Sequence, residues 1–244
     1  MRTRRQIFVH GHRGAAAILP ENTVAGFRYA IDLGCDAIEM DVGVTRENVL
    51  AVSHDAHLNG VLIRGLTLAE VEQHIPTLDA VLDLAVGNEV HFNIEIKSFP
   101  EHPEYTPSPA DFSKLLLDAI RKHRLESRVI VQSFDFRTLI EMRTLAPEIR
   151  LAALWEGAPR SLVEIAREAV AAIVAPEYRL VTTEEVQAAH EEGLLVIPWT
   201  VNESEDWDRM IAAGVDGIIT DDPAALIEHM REQGDERRRG GGPT

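Results

Sequence analysis

A chain of 244 residues with a formal net charge of −16, an apolar fraction of 45% and one cysteine has material for a full-sized core and excludes several classes of protein. The acidic excess repels polyanions and argues against a nucleic-acid partner, while the lone Cys35 excludes an internal disulfide framework and fits a reducing compartment. No apolar run reaches membrane-spanning length, and His10, His12 and Arg13 interrupt any signal core behind Arg2, Arg4 and Arg5, so the expected location is cytoplasmic with no stable membrane insertion.

Short apolar runs alternate with amphipathic stretches along the chain. Residues 6–11 read as a first buried strand. Pro20-Glu21-Asn22-Thr23 then opens a helix, capped by Asn22 or Thr23 and ended by Gly34. Residues 37–44 form a second strand, with 49–53 as its extension or hairpin partner, and 55–77 are a small excursion. Further strands are predicted over 91–97, 129–134, 150–155, 172–175, 195–201 and 217–220. The helical stretches are 78–86, 110–124, 136–145, 161–170, 183–191, 204–213 and 223–232, where apolar residues recur at helical spacing. The proline-rich segment 98–109 is a long loop, and 234–244 is expected to be a disordered tail outside a single domain over 1–233. Eight strands, each trailed by a helix, predict an α/β fold of the single (β/α)8 TIM-barrel type, which typically needs about 250 residues. A doubly wound open sheet is the alternative, but no glycine-rich dinucleotide or phosphate loop follows the first strand.

Active sites of such barrels lie at the carboxyl ends of the strands. Those ends carry His10-Gly11-His12-Arg13-Gly14, Glu39-Met40-Asp41, Ser53-His54-Asp55, Asn93-Ile94-Glu95-Ile96-Lys97 and Trp199-Thr200-Val201-Asn202. Residues i and i+2 of a strand share a face, so Glu39 points with Asp41 and Glu95 with Lys97, while Ile38, Met40, Val42, Ile94 and Ile96 face the helices. Charges on an inner strand face cost several kcal/mol unless paired or metal-bound. A structural ion pair such as Glu95 with Lys97 explains one pair; three carboxylates on adjacent strands call for a cation. Glu39, Asp41 and Glu95 therefore predict one hard divalent ion, Mg2+ or Ca2+. His12 and His54 can supply an acid and a base, and Arg13 and Lys97 can neutralise a phosphate. The spacing His10-x-His12 also suits a zinc amidohydrolase, but Trp155-Glu156 and Pro176-Glu177 supply no further histidine, and Asp221 alone does not complete that ligand set.

The ordered set His12-Arg13-Gly14-Ala15, Pro20-Glu21-Asn22-Thr23, Glu39-Met40-Asp41-Val42, His54-Asp55, Asn93-Ile94-Glu95-Ile96-Lys97, Ser133-Phe134 and Trp199-Thr200-Val201-Asn202 resembles the motifs of the glycerophosphodiester phosphodiesterases over about residues 8–228. The resemblance implies a (β/α)8 barrel that hydrolyses a small glycerophosphodiester to glycerol 3-phosphate and an alcohol. It implies Glu39, Asp41 and Glu95 as ligands of a Mg2+ or Ca2+ ion, His12 and His54 as the acid–base pair, and Arg13 and Lys97 on the phosphate. Glu21 is implied to orient that site or touch the glycerol, and Trp199 to line its pocket. One departure is the short insertion after strand two, where His54-Asp55 runs straight into Ala56-His57-Leu58-Asn59-Gly60. A phosphoester-binding barrel without turnover, and a lyase forming cyclic phosphate from lysophospholipids, are the remaining alternatives.

Overall fold

In the computed structural model, which describes residues 7–240 and the side chains of 7–233, the apolar runs assemble into one sheet wrapped by helices. In chain order the strands are β1 (Phe8–Gly11), β2 (Ala37–Val44), β3 (Leu50–Val52), β4 (His57–Leu58), β5 (Val61–Leu62), β6 (His91–Ile96), β7 (Val129–Ser133), β8 (Arg150–Trp155), β9 (Ile173–Pro176), β10 (Leu195–Val196) and β11 (Gly217–Thr220). The helices are α1 (Val24–Leu33), α2 (Leu68–Val71), α3 (Leu78–Leu82), α4 (Pro109–His123), α5 (Phe136–Leu145), α6 (Leu162–Glu168), α7 (Thr183–Glu191), α8 (Ser204–Ala213) and α9 (Pro223–Gly240).

Eight of these strands run parallel in the spatial order β10-β9-β8-β7-β6-β2-β1-β11, so the sheet curls into a barrel. Its seam lies between β10 and β11. Backbone hydrogen bonds from Asp216 N to Val196 O (2.9 Å), Ile219 N to Pro198 O (3.0 Å) and Val201 N to Ile219 O (3.0 Å) close it. The strand predicted over 195–201 is regular only over Leu195–Val196, because Pro198 offers no N–H to a ladder. Residues 50–52 are a hairpin partner of β2, with Val42 opposite Val52 in antiparallel register. The excursion that follows is the β4–β5 hairpin, a 3-10 turn and α2, gathered over a small core of Ala51, Ile63 and Val71.

Local signals explain where the helices begin and end. Thr23 caps α1 by accepting from Gly26 N at 3.1 Å, and Gly34 ends it in the left-handed region at φ 86. Ser108 caps α4 ahead of Pro109, whose missing N–H costs nothing in the first turn. The stretch predicted as one helix over 78–86 is α3 followed by a 3-10 turn over Asp83–Ala85. At the carboxyl terminus the backbone of α9 continues to Gly240. The side chains from 234 onward and residues 241–244 altogether are outside the described residues, so the tail expected over 234–244 is described only as α9 backbone to Gly240.

The core has two shells. Ile38, Met40, Val42, Ile94, Ile96 and Val131 point outward and are buried under the helices with Phe27, Leu116 and Leu139; each such side chain contributes roughly 1.5–3 kcal/mol on burial. Inside the barrel the filling is uneven. Ile130, Ala152, Ile173, Ile197 and Ile219 form an apolar half, whereas β1, β2 and β6 send in His10, Glu39, Asp41, Asn93 and Glu95, all buried. The residues that follow β1, β6, β7 and β11 open on one face, the carboxyl face of the sheet.

Candidate active site

The turn leaving β1 sets the first part of the site. A Cβ at Gly11 would lie 2.1 Å from Gly14 O, and one at Gly14, held at φ 94, would lie 2.7 Å from Gly26 C. Only glycines let the chain double back against α1 here, and the fold of that turn presents His12 and Arg13 at the barrel mouth. Arg13 itself adopts φ 48. Its N–H donates to Glu39 Oε2 at 3.0 Å and its guanidinium lies 2.9 Å from Glu21 Oε2 and 3.3 Å from Asp41 Oδ2.

The alternation of β2 and β6 brings Glu39, Asp41 and Glu95 together. Each offers an oxygen, and these oxygens lie within 4.8 Å of one another. Asp41 and Glu95 are register partners on adjacent strands, one rung above Glu39 and Asn93. Asn22, predicted only as a possible helix cap, instead sits at φ 56 one residue before the true cap Thr23, and donates to Asp41 Oδ2 at 2.9 Å. Lys97 Nζ is 2.9 Å from Glu95 Oε1 and 3.8 Å from Asp41 Oδ1. Gln132 Nε2 donates to Glu39 Oε1 at 2.9 Å, and Asn93 Nδ2 donates to Gln132 Oε1 at 3.0 Å.

The electrostatics are those of a cup short of positive charge. Burial, then the neighbouring Asp41, pushes Glu39 up to about 7. Burial pushes Glu95 up to about 8; Lys97 works against this, and Asp41 and Glu39 add to it. Asp41 is also opposed by burial, but Lys97, Arg13 and the Asn22 bond outweigh it and hold its carboxyl below the ordinary range. Three buried carboxylates with two local cations, both already engaged, fit a hard divalent ion bound through oxygen.

Both predicted histidines flank the cup. His12 Nδ1 lies 2.6 Å from Asp221 Oδ1, and its Nε2 is 3.9 Å from Glu39 Oε2. An ionised carboxylate only accepts, so Nδ1 carries the hydrogen and Nε2 faces the carboxylates. Burial would lower the pKa of His12; the Asp221 hydrogen bond and the Glu39 charge overcome that and raise it. Asn202 Nδ2 donates to the other oxygen of Asp221 at 2.6 Å. His54 is half-exposed, with Nδ1 3.0 Å from Asp55 Oδ1. His12, Arg13, Glu39, His54, Glu95, Lys97 and Trp199 line one cavity of about 310 Å³, whose other wall includes Phe99, Phe134 and Leu154. Trp199 donates from Nε1 to Ala175 O at 2.7 Å and packs edge-on to Phe134, their centroids 5.4 Å apart. Glu21, largely exposed, bonds Arg13 and lines an adjoining cavity with His12 and Asp221.

Seven of the nine site residues predicted from the sequence line that cavity; Asp41 sits in the cup with Glu39 and Glu95, and Glu21 lines the adjoining cavity. Asp221, Asn22, Asn93 and Gln132 were not predicted as members of the site. Strand parity carried a signal for Asn93, which shares its face with Glu95 and Lys97. His10, within β1, is buried at 3% exposure, and burial drives its pKa down to about 3; it is a neutral interior group.

Comparison with known proteins identifies the family and the fold. The model of the glycerophosphoryl diester phosphodiesterase family matches residues 12–225. A glycerophosphodiester phosphodiesterase of Caldanaerobacter subterraneus is 35% identical over 246 aligned residues, covering 93% of this chain and 98% of the relative. The crystal structure of a glycerophosphodiester phosphodiesterase from Thermotoga maritima is 25% identical, covers 93% of this chain and 99% of its own, and superimposes with a TM-score of 0.75. An Oleispira antarctica phosphodiesterase solved with the product sn-glycerol-3-phosphate has the same fold at 20% identity, with a TM-score of 0.82 over 92% of this chain and 96% of its own. The fold and site define a barrel phosphoric diester hydrolase. The chain belongs to the glycerophosphoryl diester phosphodiesterase family.

Proposed function

We propose that this enzyme hydrolyses a glycerophosphodiester to glycerol 3-phosphate and an alcohol, with Mg2+ or Ca2+ held by Glu39, Asp41 and Glu95. The observation that carries the proposal is the carboxylate cup at the bottom of a cavity flanked by two imidazoles. The names of the relatives and the product bound in the Oleispira antarctica structure support the choice of substrate. A bound dication supplies Lewis-acid stabilisation of the charge on the phosphoryl oxygens. Arg13 and Lys97, each set against a different oxygen of Asp41, add to this field. His12 and His54 divide the proton work: one removes the proton of the attacking water, or of a neighbouring substrate hydroxyl whose cyclic phosphate water then opens, and the other protonates the departing alkoxide. Each has Nδ1 on a carboxylate, which fixes the ring and leaves Nε2 for transfer. Trp199 and Phe134 offer an apolar wall to the carbon side of the glycerol, and Glu21 holds Arg13 in place.

Incubation with glycerophosphocholine and Mg2+ or Ca2+ is expected to release glycerol 3-phosphate, and excess EDTA to abolish the release. Full activity in EDTA would refute the metal role. Phosphorus NMR of the products separates hydrolysis from a lyase, which would give a cyclic phosphate, and from a barrel that binds without turnover. His12→Ala and His54→Ala are each expected to lower turnover by roughly 100-fold or more with the fold intact; near-normal rates in both would remove the acid–base assignment.

A further inference from the structure

The barrel interior is apolar on the side of β7 to β10, where Ile130, Ala152, Ile173 and Ile197 meet. Two amides, Asn93 and Gln132, stand against that trend, each 2% exposed. Buried amides cost stability unless they are satisfied, and a pair of apolar side chains would fill the same space more cheaply. Asn93 is not fully satisfied: its Oδ1 has no hydrogen-bond partner among the described residues. Its orientation is instead dictated by the donation of its Nδ2 to Gln132 Oε1. That acceptance leaves the Gln132 NH2 directed at Glu39 Oε1.

The register shows how unusual the reach is. Gln132 pairs with Glu95 on the neighbouring β6, yet it passes over that strand to Glu39 on β2, one rung lower, beside Asn93. Glu39 is thereby tied at both oxygens, Oε1 by Gln132 and Oε2 by the Arg13 N–H. Oε2 also lies 3.9 Å from His12 Nε2.

We infer that Gln132, oriented by Asn93, is a positioning residue that holds Glu39 in the geometry for binding the dication. This rests on the reading of Glu39, Asp41 and Glu95 as metal ligands. Hydrogen bonds of this outer kind are typically worth 10–100-fold in metal affinity.

The test is calorimetric titration of the metal-stripped protein with Ca2+ and with Mg2+. The variants are Gln132→Met, which keeps length and removes the donor, and the double variant Asn93→Leu/Gln132→Met, which removes both amides so that neither is left unpaired. Both are expected to bind the cation about 10–100-fold more weakly, and saturating cation is expected to recover most of the lost turnover, a rescue that a general loss of structure would not give. A wild-type protein that binds neither cation defeats the ligand assignment itself. A wild type that binds, beside a folded variant of unchanged affinity, overturns the role of Gln132 alone. Should neither variant fold, a crystal structure of the metal-loaded wild type decides: Gln132 Nε2 within hydrogen-bond distance of Glu39 Oε1 is expected, and an amide turned elsewhere overturns the inference.

Discussion

His12 shows how much of a catalytic group lies outside itself. Its usefulness depends on Asp221, 209 residues away in sequence, which fixes the tautomer and raises the pKa. Asp221 is in turn held ionised: burial opposes this, and the His12 and Asn202 bonds overcome it. Asp221→Asn replaces a pure acceptor with a group that can donate to Nδ1, and so stabilises the tautomer with hydrogen on Nε2. Turnover is expected to fall at least about 10-fold. The limb of the pH–rate profile due to His12 is expected to move to lower pH, since the removed charge was raising its pKa. Steady-state kinetics between pH 5 and 9 checks both; an unmoved profile would show that Asp221 is only structural. Nothing in the sequence joined these two residues. Parity along a strand groups Glu39 with Asp41 or Glu95 with Lys97 because both members obey one local period. The partner of a loop histidine is chosen by the long-range pairing of β1 with β11, which no local pattern encodes.

At the scale of elements, local chemistry was legible wherever a residue had one strong conformational demand. Glycine after a helix is such a demand, and Gly34 and Gly214 end α1 and α8 at φ 86 and 87. Strands 37–44, 150–155 and 217–220 were readable because they are unbroken apolar or alternating runs bounded by polar turns. The seam strand was misjudged because Pro198 is compatible with extended backbone but not with a regular ladder. Val170 is the opposite case, a β-branched residue at φ 50 directly after α6, where glycine is the usual choice. The turn is held regardless: Ala171 N bonds Ala166 O at 2.9 Å, and Arg143 donates to Val170 O at 3.2 and 3.3 Å. A left-handed conformation costs a residue with a Cβ roughly 1–2 kcal/mol, while glycine adds back about 0.5–1 kcal/mol of chain entropy. The Val170 side chain is 40% exposed and contributes little by packing. Val170→Gly is therefore expected to stabilise the fold by about 0.5–1 kcal/mol, seen as a higher urea midpoint; a lower midpoint would mean that the side chain packs more than its exposure implies.

For the whole molecule, the site is a local debt of positive charge inside an acidic protein of net charge −16, and this couples stability to pH. Glu39 and Glu95 rise from 4.5 to about 7 and about 8 in the metal-free fold, mainly through burial and then through the charges around them. A carboxyl with a raised folded pKa stabilises fully below its unfolded pKa, and that contribution is lost as pH climbs through the folded value. His12, also raised, has the same sign above 6.5. His10, lowered to about 3, acts oppositely below pH 6.5, where the unfolded chain takes up its proton, and drops out above it. Between about pH 6.5 and 8.5 the carboxyls therefore dominate, and the melting temperature of the EDTA-treated protein is expected to fall across that window. A dication that binds only the folded, deprotonated cup removes the trend. At one hundred times its Kd it adds about 2.7 kcal/mol, a rise of roughly 5–10 °C for a domain of this size. Binding must also expel the protons on Glu39 and Glu95, so the rise is expected to be larger at pH 8.5 than at 6.5. Thermal melts at the two pH values, with EDTA and with Ca2+ or Mg2+, measure all four corners. A metal-induced rise that is independent of pH would show that the cation does not displace those protons and binds somewhere other than the buried cup.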